Sequence, residues 1–425
     1  MFDLVGSGVD LSDEAALVTG ITELERAKSR AAALQARLTA QLATVRHDAE
    51  AAAGLPAARR GRGLAAEVAL ARYDSPHSGN RHLGFAQALI NEMPHTLAAL
   101  ESGALSEWRA TLLVRESACL DVADRRALDA EMCADVAGLA GRGNKRIAAE
   151  AKAIAYRLDP HAVVDRAVRA EKDRRVSIRP APDNMVYLSA LLPMVKGVSV
   201  YAALRREADS CGDGRSRGQV MADTLIERIT GRPAEVPEPI AVSLVLSDDT
   251  LTGGTGPALI PGVGPVPATI ARGLITNAVT DPASRATLRN LYARPGSGAL
   301  VAMQSRSRLF PKALAMLIGF RDQQCRTPYC DAEIRHTDHI RPAADDGPTS
   351  YPNGDGLCEA CNYNKQAPRW RVRVTTTGTG RHTTVTTTPT GHSYLSTAPP
   401  ILPGSPPDGP MEAALRNLLR KPAAA

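Results

Sequence analysis

The 425-residue chain is 44% apolar and 23% charged, with a net charge of +6. It is too long for one small domain and too apolar for wholesale disorder. No apolar run approaches the ~20 residues of a membrane span, and the N-terminal residues lack the basic start and apolar stretch of a secretory signal.

Residues 12–235 read mostly as helix. Thr22 followed by Glu25 has the form of a capping box. Behind it Leu34, Leu38, Leu42 and Val45 recur at spacings of four, four and three, one helical stripe that ends near Gly54 and Pro56. Further helical patterns follow at 79–91, 94–102, 106–119, 122–141, 143–157 and 160–173, punctuated by Pro94, Gly103, Gly141 and Asp159-Pro160. The period then changes: 176–180 and 185–190 read as two strands around a turn at Ala181–Asn184. Helices at 193–210 and 215–230 and a strand at 239–247 complete a small α+β element. Asp213, Arg215, Arg217, Gln219 and Asp223 open the second of these helices, and cap bonds and surface ion pairs account for them.

Residues 252–267 are rich in glycine and proline. Gly262-Val-Gly264 hints at a nucleotide loop, but Pro267 stands where a third glycine is needed and no lysine follows. The segment reads as a loop that starts a helix at 268–277. From 397 onward a proline-rich tail with a short helix at 411–420 is expected.

The positive charge is not spread evenly. From residue 301 on there are 15 Lys+Arg against 10 Asp+Glu, and before it 36 against 35. A basic C-terminal end suits a polyanion such as nucleic acid, or is simply a solvated basic tail.

Four of the seven cysteines fall in this region as two close pairs, Cys325/Cys330 and Cys358/Cys361. The cytoplasm is the expected location, where thiols stay reduced, so such pairs point to metal before disulfide. Two pairs form a tetrahedral thiolate site suited to Zn2+, and four thiolates leave it no open position for chemistry. Cys119, Cys133 and Cys211 stand alone in helical stretches and read as small apolar residues.

Between and beside the pairs lie the reactive types. Asp338 and Asn362 offer oxygen ligands for Mg2+ or Mn2+, with water and substrate phosphate filling the remaining positions. His339 is a general-base candidate near neutral pH. On a helix at 357–367, Cys361 and Asn362 are about 100° apart, so one can face zinc and the other a second metal. Asp338 and His339 are consecutive and would face opposite sides of a regular strand. Both reach one site only at a strand end or a bulge, and Pro342 agrees with a strand that stops there. Lys365, Arg369, Arg371, Arg373 and Arg341 are candidate phosphate contacts, or an ordinary solvated face. His336 reads as a strand surface residue, and Trp370 as core.

The order Asp338-His339, Asn353, Asn362, framed by two cysteine pairs, resembles the HNH endonuclease motif over about 321–373. That resemblance implies a ββα-metal fold, with Asp338 and Asn362 as ligands of the catalytic metal. It implies that His339 activates water and that Asn353, as a catalytic-site residue, holds the hairpin. The implied products are a 5′-phosphate and a 3′-hydroxyl. The segments at 94–110, 173–193, 212–231 and 370–394 are similar to an actinobacterial family, with repeated mycobacterial copies, that joins a long helical domain of unknown function to a C-terminal HNH module. Two departures stand out: Asp346 where the family has a glycine before Gly347, and Arg369 in place of a glycine.

The expected architecture is therefore mainly α with a small α+β element, followed by a zinc-stapled ββα-metal module. Its parts are a helical region 1–235, a strand, loop and helix at 236–300, the HNH module at 301–395, and a tail at 396–425. The expected function is a DNA-cutting endonuclease, a hydrolase of phosphodiester bonds, with DNA as partner and no membrane. The alternatives are a zinc-stabilised nucleic-acid-binding module that cuts nothing, and an interaction protein with a vestigial nuclease module.

Overall fold

The computed structural model describes residues 13–233, 244–261, 263–280, 304–305, 309–375 and 380–402. The expected helix at 411–420, Gly262 and most of the strand expected at 239–247 lie outside the described residues. The chain divides into two compact units, Met1–Lys172 and Asp173–Ala425.

The first unit is helical: α1 (Glu14–Ala52), α2 (Leu64–Ala71), α3 (Gly79–Asn91), α4 (Pro94–Ser102), α5 (Glu107–Ser117), α6 (Val122–Cys133), α7 (Asn144–Leu158) and α8 (Pro160–Ala170). The N-cap of α1 is Asp13, which accepts from the Ala15 amide, so Thr22 lies inside the helix and its hydroxyl turns back to Val18 O. The face α1 buries is also not the leucine stripe. Leu34, Leu38 and Val45 are more than half exposed, whereas Ser29, Ala32, Ala33, Ala36, Thr39, Ala40 and Ala43 are buried. Small side chains let α1 approach α3 and α4 closely, and the large ones are left outside. The core adds Phe85, Leu89, Met93, Leu100, Leu113, Leu128 and Ile147. Asp129 of α6 caps α4 across the core, accepting from the amides of His95 and Thr96 and from the Thr96 hydroxyl; a cap of this kind contributes about 1 kcal/mol.

The second unit opens with the antiparallel hairpin β1 (Arg175–Ala181) and β2 (Met185–Leu191), then α9 (Met194–Ser210) and α10 (Arg217–Thr230). Ser216 and Gln219 form a capping box on α10, and Arg215 bridges Asp213 and Asp223. That bridge holds the Asp213 carboxyl well below its usual range. The polar run thus opens a helix with caps and surface ion pairs. Next come α11 (Asp248–Thr252), a short hairpin β3 (Ala258–Ile260) and β4 (Gly264–Val266) where a loop was expected, and α12 (Ala268–Thr280). Val245 bridges to Leu259.

The last part positions the site. Strand β5 (Gln304–Ser305) precedes α13 (Lys312–Asp322), which packs on the hairpin of β6 (His336–His339) and β8 (Gly354–Leu357). Inside that hairpin, β7 (Thr349–Ser350) pairs with β5. The short helix α14 (Glu359–Asn364) follows, then β9 (Arg371–Val374), β10 (Thr383–Thr387) and β11 (Ser393–Thr397), a sheet in the order β11-β10-β9. No helix among the described residues is long and apolar enough to cross a membrane.

Candidate metal centre and hairpin site

The two cysteine pairs converge. The sulfurs of Cys325, Cys330, Cys358 and Cys361 all lie within 4.8 Å of one another, and all four residues are buried. Tetrahedral zinc with bonds of about 2.3 Å sets its sulfurs about 3.8 Å apart. Cys330 Sγ is 3.9 Å from Cys358 Sγ and 3.7 Å from Cys361 Sγ, so the four cysteines can hold a zinc ion. The local backbone explains the geometry. Tyr329 adopts φ +60°, which folds the first pair into a knuckle closed by Cys330 N–H to Thr327 O. Cys358 is the N-cap of α14, and its sulfur accepts from the Cys361 amide. The neighbouring thiols of Cys325, Cys330 and Cys361 push the acidity of Cys358 up, while the same crowding pushes the acidity of Cys361 down.

Beside this cluster, β6 and β8 pair in the register Asp338↔Asp355 and His339↔Gly354. His339 is the last residue of β6, and there the alternation relaxes. Its Nδ1 comes to 4.0 Å from Asp338 Oδ1, although the two residues are consecutive. On the other side of the ring, Nε2 hydrogen-bonds Thr349 Oγ1 at 2.9 Å, and Phe310 covers the imidazole at 4.6 Å between ring centres. Gly354 makes this possible: a Cβ there would sit 2.3 Å from Ile318 Cδ1 and 2.7 Å from the Phe310 ring.

Asn353 closes the hairpin. Its Oδ1 accepts from Arg341 N–H at 2.9 Å, and its Nδ2 donates to Arg341 O and Pro348 O at 3.1 and 2.8 Å. The turn from 341 to 353 hangs on one buried amide. Asn362 lies on α14, which packs against β6. Its Oδ1 is buried and has no hydrogen-bond partner among the described residues. An orphaned buried oxygen is the donor a hard cation takes, so Asn362 fits the expected ligand role chemically.

Lys365, three residues further, shares the β6 side of the helix. Its Nζ donates to Asp338 Oδ2 at 2.7 Å and to His339 O at 2.8 Å. This lysine therefore lies within the cluster of Asp338 and His339, inward of the other basic residues. Arg369, Arg371 and Arg373 are exposed, with Arg371 and Arg373 alternating onto one face of the edge strand β9. Arg341 is exposed, with its Nε on Asp345 O. His336 is exposed and Trp370 is buried. Asp346 and Arg369, where the resemblance implies glycine, both sit in left-handed backbone, at φ +59° and φ +67°. A glycine belongs at such positions because it carries no Cβ to clash.

Beneath the hairpin lies a charge network that sequence reasoning missed. Arg321 makes a two-pronged ion pair with Asp322, at 2.6 and 2.8 Å, and donates to Tyr351 O and Gly354 O. Asp322 accepts from Gly356 N–H, and Arg326 ties it to the C-terminal sheet through Ser396 O. Arg321, Asp322, Arg326, Asp355 and His382 are all buried. Burial, aided by the like charge of Asp322, pushes Asp355 up to about 7, and burial with Arg321 nearby pushes His382 down to about 4. The partners are scattered from 321 to 382, and no spacing in the sequence announces them.

The fold and site define a mainly helical protein with small sheets and a four-cysteine cluster able to hold zinc. A family model described as "Domain of unknown function (DUF222)" matches residues 19–322, and the chain belongs to that family. The match stops at Asp322, three residues before Cys325. No curated protein and no solved structure matches the chain.

Proposed function

We propose that the C-terminal part of this chain is an HNH-type endonuclease module that hydrolyses DNA phosphodiester bonds. The observations that support the reading are the approach of His339 Nδ1 to Asp338, the reach of Lys365 from the end of α14 to Asp338, and the buried, unsatisfied Oδ1 of Asn362 on that helix. In this reading the zinc is structural. His339 takes the proton of the attacking water at Nδ1, the nitrogen on the Asp338 side, while Thr349 holds Nε2 and fixes the ring. Asn353 keeps the turn closed so that the ring cannot swing away. Asp338 and Asn362 would hold magnesium or manganese, which supplies charge neutralisation at the phosphate and the departing 3′ oxygen. Arg341, Arg369, Arg371 and Arg373 grip flanking phosphates, and Lys365 gives up Asp338 when substrate arrives. Water adds across the P–O3′ bond, leaving a 5′-phosphate and a 3′-hydroxyl.

One observation favours a second reading. The cation paired with Asp338 in this structure is Lys365, which suits a zinc-stabilised module that binds nucleic acid and cuts nothing. Nicking of supercoiled plasmid by wild type and His339→Ala, in magnesium, manganese or chelator, separates the two. Metal-dependent nicking abolished by the substitution is expected. Equal nicking by both proteins removes the enzyme reading, and binding without nicking, unaffected by the substitution, establishes the second.

A further inference from the structure

The C-terminal sheet is the source of the positive charge in this part of the chain. Between Cys361 and Pro407 there are five Lys and Arg and no Asp or Glu. That excess of five equals the net charge of everything from residue 301 on, 15 against 10. Two of the five, Arg371 and Arg373, lie on the edge strand β9.

Side chains alternate across a sheet, so its two faces can be told apart. Thr384 and Thr386 are buried on the inner face. The register sets three rows on the outer face: Arg371, Thr387 and Ser393; Arg373, Val385 and Leu395; and Thr383 with Thr397. Both arginines, Ser393, Leu395 and Thr397 are exposed, and Val385 in the middle is buried. Hydroxyls pair along the rows, Thr387 Oγ1 with Ser393 Oγ at 2.9 Å and Thr383 Oγ1 with Thr397 Oγ1 at 3.1 Å. Tyr394, the one aromatic ring in these strands, pairs with Thr386 and so belongs to the inner face. The outer face therefore presents two guanidinium groups and four hydroxyls, with no carboxylate and no ring. The sheet is also fixed to the hairpin site. Arg326, paired with Asp322, donates to Ser396 O at 2.7 Å, and His382 hydrogen-bonds Pro352 O at 2.8 Å.

We propose that this outer face is a docking platform for the sugar–phosphate backbone of duplex DNA, bound without regard to sequence. The proposal rests on the reading that this part of the chain takes DNA, and not on whether it cuts. Charge complementarity names the occupant, because guanidinium groups and hydroxyls are the donors that phosphate oxygens accept from. Arg371 and Arg373 are about 6.7 Å apart along β9, close to the separation of successive phosphates on one strand. A single strand is held by rings on which its bases stack, and this face offers none.

The test is fluorescence anisotropy of a labelled DNA duplex of arbitrary sequence with the full chain, without added magnesium or manganese so that nothing is cut. Wild type is expected to bind with an affinity that falls steeply as salt rises. Arg371→Gln with Arg373→Gln is expected to bind about tenfold more weakly, and the slope of log affinity against log salt should become shallower by about 2. Thr387→Val with Ser393→Ala removes neutral donors, so binding should weaken about threefold with the slope unchanged. Both variants are expected to keep the wild-type urea midpoint, and a single strand of equal length is expected to bind less tightly than the duplex. An arginine variant that matches wild type in affinity and slope overturns the platform and leaves the endonuclease reading standing. A single strand bound more tightly than the duplex also overturns the platform. Wild type that binds no duplex overturns both.

Discussion

Replacing Asn353 with alanine tests how the hairpin is held. The side chain is buried and makes three hydrogen bonds, one from Arg341 N–H and two to the carbonyls of Arg341 and Pro348. Each contributes about 1 kcal/mol net, and the backbone groups left behind are poorly placed to find water, so the expected loss is about 2–4 kcal/mol. The reporter is Trp370, which is buried in the second unit, read in a Trp108→Phe background because the chain has two tryptophans. Urea unfolding by fluorescence then gives the difference directly. Asn353→Asp sharpens the test. It keeps the acceptor for Arg341 N–H but sets a carboxylate against two carbonyl oxygens. Its folded acidity is therefore depressed, and it should be least stable at pH 8 and recover as the pH falls and the group protonates. A loss below about 0.5 kcal/mol for Asn353→Ala, or Asn353→Asp matching wild type at pH 8, would refute the reasoning.

Three further outcomes are expected. Wild type should carry one zinc per chain by elemental analysis, and Cys358→Ser should lose most of it; full retention would break the cluster as a zinc site. Asp355 is raised in the folded state to about 7, so it lowers stability as the pH climbs from about 4 to about 7. His382, lowered to about 4, acts oppositely and withdraws stability as the pH falls from about 6.5 to about 4. Asp355→Asn removes the first effect, so the variant should gain on wild type by on the order of 2–4 kcal/mol above pH 7 and by little at pH 4, read as urea midpoints across pH. Finally, Arg369→Gly relieves the left-handed backbone and should raise stability by about 1 kcal/mol, whereas Arg369→Ala should not.

Local signals were legible where chemistry dictates spacing. The convergence of the cysteine pairs and a helix behind Cys358 can be read from 325–365, although the helix is shorter, Glu359–Asn364 rather than 357–367, and of the two choices left by the spacing, a strand end or a bulge, the strand ends at His339. The face of α1 was not legible. Leucine and alanine stripes run along the same helix at the same period, and which one goes inside depends on how near α3 and α4 approach. The leucines win on transfer energy alone, but the alanines win once close packing is counted. Its basic side chain makes Lys365 a candidate phosphate contact in the sequence, but its reach to Asp338 is set by where β6 meets α14 and cannot be read from spacing. The buried ion network was illegible for the same reason. Arg321 and Asp322 are adjacent, but Tyr351, Gly354 and Gly356 come to them only through the fold.

That network straddles the edge of the recognised family. The match ends at Asp322, a residue clamped between Arg321 and the amide of Gly356. A cut just after it would keep Arg321 with Asp322 but strip Arg326 of that carboxylate and the Gly356 amide of its acceptor. Helix α13 is thus a physical part of the cysteine-bearing fold, although the family match runs to its last residue.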